Sequence, residues 1–120
     1  RLMEDVFEDA LKNGEFQLWY QPKVDPVTGN ILGAEALIRW KRPDGTMLSP
    51  GKFIPLFEKN GNITTLDEYV FRTVCAQQQR WLQAGAKLYP ISVNISRVSL
   101  YYSNVVDKYR ELLNSFQLDP

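Results

Sequence analysis

Ile31-Leu32-Gly33-Ala34-Glu35-Ala36-Leu37-Ile38-Arg39-Trp40 is the stretch on which the fold turns. Side chains alternate across a strand, so one face carries Leu32, Ala34, Ala36, Ile38 and Trp40 without a polar interruption. The opposite face carries Ile31, Gly33, Glu35, Leu37 and Arg39. Glu35 and Arg39 therefore point the same way from a strand that is otherwise bulky and apolar. Two arrangements stay open on pattern alone. An open sheet would pack one face on helices and wet the other. A closed barrel would enclose the polar face, and Leu37 and Ile31 favour enclosure, because a hydrated face rarely needs them.

Upstream, Phe16-Gln17-Leu18-Trp19-Tyr20-Gln21 alternates in the same manner, and Pro22 is expected to close it. Asp25-Pro26-Val27-Thr28-Gly29-Asn30 is a turn cluster, so the two strands should form a hairpin. Before them, Leu2/Met3, Val6/Phe7 and Ala10/Leu11 recur at helical spacing and end at Asn13-Gly14.

Downstream, Pro43-Asp44-Gly45 makes another turn, and Ser49-Pro50 places a helix N-cap before a proline at the first helical position. Phe53, Ile54 and Phe57 suggest a short helix, interrupted by Pro55. Thr64-Thr65-Leu66-Asp67-Glu68 reads as a capping box opening a long helix. That helix turns Leu66, Tyr69/Val70, Val74 and Trp81 toward a core and stops at Gly85. Tyr89 to Ser96 follows as a third strand, with Ser92, Asn94 and Ser96 on one face and Tyr89, Ile91, Val93 and Ile95 on the other. From Val98 helical spacing returns through Tyr101/Tyr102, Val105, Tyr109 and Leu112/Leu113 to Phe116. A helical crossover before the third strand predicts parallel pairing of β/α type. Three strands among so many helices make an unfinished sheet.

Composition narrows the chemistry. The chain has 120 residues, 14 basic and 14 acidic side chains, no histidine and one cysteine. Zero net charge removes the electrostatic basis for non-specific binding to a DNA or RNA polymer. Without histidine there is no Ser-His-Asp or Cys-His nucleophile, and the lone Cys75 permits neither an internal disulfide nor a multi-cysteine metal cluster. Acid-base or metal chemistry falls to carboxylates, amides, lysine and tyrosine, and the carboxylate and amide oxygens suit magnesium, manganese or calcium. Trp19, Trp40 and Trp81 sit at packing positions and are expected in the core. Lys41-Arg42 is expected to be a solvated pair at a turn. No apolar run approaches the roughly 18 residues that span a bilayer. The chain opens on Arg1, as expected of a segment of a longer protein.

Tyr20-Gln21-Pro22 followed by Gly33-Ala34-Glu35-Ala36-Leu37-Ile38-Arg39-Trp40 resembles the start of an EAL domain, the cyclic di-GMP phosphodiesterase family named from its Glu-Ala-Leu signature. Ser49-Pro50, Phe53-Ile54-Pro55, Glu58, Gly61, Ile63, Leu66-Asp67, Val70 and Ser92-Val93-Asn94-Ile95-Ser96 continue the resemblance in unbroken order. It runs from about Glu4 to the C-terminus. Phe57 and Lys59 depart from it, flanking Glu58 where a second acidic residue is more typical.

The resemblance implies an α/β fold: the N-terminal half of a TIM-like (β/α) barrel whose first strand is antiparallel to the others. A complete barrel needs roughly 200 residues or more. Residues 1–120 would be a partial domain, cut before the remaining metal-ligand and catalytic strands. By the same resemblance Glu35 and Asn94 would be metal ligands, Arg39 would hold a substrate phosphate, and Gln21 and Leu37 would contact the bound dinucleotide near one mouth of the barrel. No catalytic base falls in the chain. The implied cofactors are two Mg2+ or Mn2+ ions. The implied reaction is hydrolysis of cyclic di-GMP to the linear dinucleotide by the parent protein, and the alternative is a receptor that binds cyclic di-GMP without turnover. The domain should face the cytoplasm, whether or not its parent is tethered to a membrane, and further signalling domains are expected beside it. Half a barrel leaves a strand edge unpaired. The isolated fragment is therefore expected to be inert, and to form a homodimer or swap elements if it is stable.

Overall fold

The computed structural model describes residues 6–96 together with Ser99, Asp107, Tyr109, Arg110, Glu111 and Leu113. Most of the helix expected from Val98 onward, and the pair Tyr101-Tyr102, lie outside the described residues, as do residues 1–5.

A short helix, α1 (Phe7–Lys12), precedes a long hairpin of β1 (Phe16–Val24) and β2 (Ile31–Lys41). A two-residue strand, β3 (Met47–Leu48), leads into α2 (Pro50–Asn60) and α3 (Asn62–Gln83), and β4 (Ile91–Ser92) follows. β1 pairs antiparallel with β2 in a register that sets Phe16 opposite Trp40, Trp19 opposite Leu37 and Gln21 opposite Glu35. On its other edge β2 meets two partners. Ala34 and Glu35 pair in parallel with Ile91 and Ser92, while Trp40 and Lys41 pair antiparallel with Leu48 and Met47. Parallel pairing after a helical crossover and an antiparallel first strand are both as the sequence predicts.

The hairpin loop is closed by local chemistry. Asp25 Oδ1 accepts from the N–H groups of Val27 (2.8 Å) and Thr28 (3.3 Å), and Gly29 adopts φ 74°. β1 does not stop at Pro22 as expected; it continues to Val24. Among the described residues its only strand partner is β2, which makes it an edge there, where a missing N–H need not break a ladder.

The core sits where the apolar face of this hairpin meets α1, α2 and α3. Phe7, Phe16, Trp40, Phe53, Phe57, Ile63 and Leu66 are each no more than 2% exposed. Five rings interlock closely: Phe16 and Trp40 have centroids 4.8 Å apart, and Phe53 lies edge-on to Trp40 at 5.7 Å. Phe7 approaches Phe57 edge-on at 4.8 Å. Burial of each such side chain stabilises the fold by about 1.5–3 kcal/mol. Glu15 closes this core at the strand end. It accepts from Trp40 Nε1 (2.9 Å) and Arg42 Nη1 (2.8 Å), so Arg42 is not the solvated residue expected beside Lys41.

Three helix expectations need correction. Pro55 does not interrupt α2, which runs unbroken for 11 residues. Pro55 and Gly51, whose carbonyl loses its helical donor, both face solvent, where water serves instead. α3 does not open on a capping box: it starts at Asn62, directly after Gly61 in the left-handed conformation (φ 86°). Asn60 Oδ1 accepts from Asn62 N–H (3.0 Å), and Thr64 Oγ1 donates to the Gly61 carbonyl (3.1 Å). Trp81 is not core. It is 36% exposed at the rim, edge-on to Tyr20 at 5.8 Å.

α3 is tied to the sheet by polar bonds as well as by packing. Tyr69 Oη donates to the Phe16 carbonyl (3.1 Å), and Gln78 Nε2 donates to the Tyr89 carbonyl (3.2 Å). The third strand is much shorter than Tyr89 to Ser96, since only Ile91 and Ser92 are laddered.

Candidate functional site

The face of the sheet turned away from the helices gathers the polar residues of all three main strands. β2 supplies Gly33, Glu35, Leu37 and Arg39, and the antiparallel register sets Lys23, Gln21, Trp19 and Gln17 beside them in that order. β4 adds Ser92 beside Glu35, and Asn94 lies two residues further on.

Glu35 and Asn94 touch. Asn94 Nδ2 donates to Glu35 Oε2 at 3.2 Å, joining residues 59 positions apart. Gln21 is level with Glu35 across the hairpin, and Leu37 is the next residue on that face. Arg39 is on the same face but does not meet Glu35. Its Nη1 donates to the Ile38 carbonyl (2.8 Å), and its guanidinium lies 5.8 Å from the centre of the Trp19 ring. Gln21 and Arg39 do not share one end of the strip. They lie four residues apart in register, about 13 Å along the sheet at ~3.3 Å per residue.

Two residues of this surface escape a reading of the sequence. Trp19 is 52% exposed rather than core, and it stands under Arg39. Its odd position in β1 was the available signal, since it shares that parity with Gln17 and Gln21. Lys23 Nζ donates to Ser92 Oγ (3.4 Å), which sets a second cation on the opposite side of Glu35 from Arg39.

Beside Asn94 a cavity of about 200 Å³ opens between β2, α2, α3 and the chain after β4. Leu37, Ile54, Glu58, Ile63, Asp67, Asn94 and Ser96 are among the residues that line it. The cavity lies along residues 36–38 of β2, within the stretch that neither β3 nor β4 pairs.

A carboxylate and an amide held together on a sheet are hard oxygen donors, and they fit magnesium or manganese by type. They do not fit it by number. Among the described residues no group of three or more His, Cys, Asp or Glu side chains gathers to hold a metal. The chain can supply part of an octahedral site and no more. Cys75 is buried, and burial pushes its thiol pKa up.

The profile described as "EAL domain" matches residues 4–120. The chain belongs to the EAL domain family. Among curated relatives, the EAL chain is 37% identical over 120 residues to the bifunctional diguanylate cyclase/cyclic di-GMP phosphodiesterase MucR of Pseudomonas aeruginosa, a match covering all of the chain and 17% of that protein. It is 34% identical over 111 residues to the cyclic di-GMP phosphodiesterase NbdA of the same organism, covering 92% of the chain and 14% of NbdA. Among solved structures, the MucR phosphodiesterase in complex with cyclic di-GMP superposes with a TM-score of 0.89 at 36% identity, covering 98% of the EAL chain and 47% of that one. The EAL chain thus spans under a quarter of the length of these curated relatives and about half of the solved domain. Its architecture is that of a partial α/β barrel with an antiparallel first strand. No helix among the described residues is long and apolar enough to cross a membrane.

Proposed function

We propose that the EAL chain is about the first half of a domain that hydrolyses one phosphodiester bond of cyclic di-GMP, giving the linear dinucleotide. The contact between Glu35 and Asn94 carries this reading: two oxygen-bearing side chains from distant parts of the sequence meet on one sheet face, flanked by cations. The relatives named as cyclic di-GMP phosphodiesterases, and the MucR complex with that dinucleotide, support the substrate.

In this reading Glu35 and Asn94 offer oxygens to a divalent ion, Asn94 turning its amide so that Oδ1 replaces Nδ2 on the inner side. A site of two magnesium or manganese ions, completed by residues of the domain's other half, supplies an activated water and counter-charge for the phosphate. Arg39 leaves the Ile38 carbonyl and offers its planar fork to a phosphate oxygen. Gln21 offers amide contacts at the level of Glu35, and Leu37 forms an apolar wall between the two. In this reading the domain faces the cytoplasm, where its substrate is.

The test is hydrolysis of cyclic di-GMP by the full-length protein with magnesium or manganese, beside its Glu35→Ala variant and an EDTA-treated sample. The expected result is turnover to the linear dinucleotide, abolished by EDTA and by Glu35→Ala, with residues 1–120 alone inactive. Binding without turnover in the full-length protein would make it a receptor instead.

A further inference from the structure

α3 turns an otherwise apolar stripe inward: Ile63, Leu66, Val70 and Val74 are all buried. Asp67 stands in that stripe and is only 7% exposed. A carboxylate in such a place is costly unless its oxygens are fully used. The described bonds converge on Oδ2, and both come from the chain just past Asn94. Asp67 Oδ2 accepts from the backbone N–H of Ser96 (2.9 Å) and from Ser99 Oγ (2.6 Å). Ser96 Oγ accepts in turn from Ser99 N–H (3.2 Å), a serine N-cap pattern over three residues.

Ser96 is two residues beyond Asn94, and Ser92, the last laddered residue of β4, is two residues before it. The Asp67 bond therefore takes over where the sheet stops. With both ends pinned, the Asn94 backbone is within about 7 Å of a fixed point on either side, at no more than ~3.6 Å per residue. We infer that Asp67 is a positioning residue for Asn94: it holds the chain just past the amide and so fixes where the amide stands beside Glu35. The inference rests on the metal-site reading proposed above.

The experiment is Mn2+ binding to the full-length protein, followed by the electron paramagnetic resonance of the free ion. The site of interest is the one that Glu35→Ala removes. Folded Asp67→Ala should weaken that site about ten- to hundred-fold, the range for residues that orient metal ligands, and lower kcat with KM for cyclic di-GMP little changed. Asp67→Asn keeps an acceptor for Ser96 N–H and should recover most of the affinity. Ser99→Ala loses a hydrogen bond to Asp67 without releasing Ser96, so it should lower the thermal midpoint and leave Mn2+ affinity alone. Should Asp67→Ala fail to fold, Asp67→Glu takes its place: it keeps the charge but lengthens the arm, and should weaken Mn2+ binding. Wild-type Mn2+ affinity in folded Asp67→Ala or Asp67→Glu overturns the inference, as does an equal loss in Ser99→Ala. A wild-type protein with no Glu35-dependent Mn2+ site overturns the metal reading itself.

Discussion

The carbonyl oxygen of Pro90 lies 2.6 Å from the point where a β-carbon on Gly33 would stand. That carbonyl also accepts from Ala34 N–H (3.0 Å), so the close approach is part of the β2–β4 junction. Gly33 is required there for space; its backbone conformation is ordinary. Gly33→Ala should push β4 outward, cost about 1–3 kcal/mol by overpacking, and separate Asn94 from Glu35. Thermal unfolding and cyclic di-GMP hydrolysis of the full-length protein would fall together; an unchanged midpoint would mean that β4 yields freely.

Glu15 tests the other end of the hairpin. Truncation to alanine strips an acceptor from Trp40 Nε1, which is fully buried, and from Arg42. A buried donor left without a partner costs about 1–3 kcal/mol. Denaturant unfolding should register that loss for Glu15→Ala, while Glu15→Gln, which keeps an acceptor oxygen, should lose less.

Arg39 divides binding from folding. Its guanidinium rests on its own strand and on Trp19, so truncation should leave stability within about 0.5 kcal/mol. Under the proposed function Arg39→Ala should raise KM for cyclic di-GMP about ten-fold or more, since a charged hydrogen bond contributes about 1.5–3 kcal/mol. Arg39→Lys should not restore it, because an ammonium lacks the planar fork. Equal KM in wild type and Arg39→Ala would remove Arg39 from the substrate site.

Alkaline pH should loosen the packing of α3. Tyr109 stacks on Phe71 with ring centroids 4.6 Å apart, and its phenol is pushed up to about 12 by burial, then by the charges of Asp67 and Glu68. Its ordinary value is 10.0, so between pH 10 and 12 the folded state holds a proton that the unfolded state has released. Stability is therefore full below pH 10 and falls as pH rises through that window. The thermal midpoint should decline less steeply over it for Tyr109→Phe than for wild type. Parallel declines would place Tyr109 in water.

Much of this was legible in the sequence because alternation on β2 is nearly perfect. Ala34, Ala36, Ile38 and Trp40 fix one face, and the turn at Asp25 fixes the partner strand. Glu35, Leu37 and Arg39 then fall on the other face by parity, and Asn94 follows from the Ser-Val-Asn-Ile-Ser strand. What pattern could not supply was the level at which each residue sits. Gln21 and Arg39 share a face, but only the register shows that they lie four residues apart. Large rings usually bury, so the pattern assigns Trp19 and Trp81 to the core, yet one stands over the polar face and the other at a rim. The local pattern makes Asp67 a capping residue at the start of a helix. Its partners are Ser96 and Ser99, about 30 positions later, and no local rule reaches that far. The short β4 has the same cause: Val93 to Ser96 keep the alternation of a strand, but the Ser96 N–H is taken by Asp67 rather than by a neighbouring strand.

The hairpin and the Glu35–Asn94 contact differ in when they can exist during synthesis. β1 and β2 can pair once residue 41 has emerged, and hairpins close in about 1–10 μs. Asn94 is added 53 residues later, which takes several seconds at ~5–20 residues per second. Glu35 therefore waits on a finished strand, its depth and facing already set by Gln21 opposite. The nascent chain has one wall of the site in place well before it has the residue that meets it.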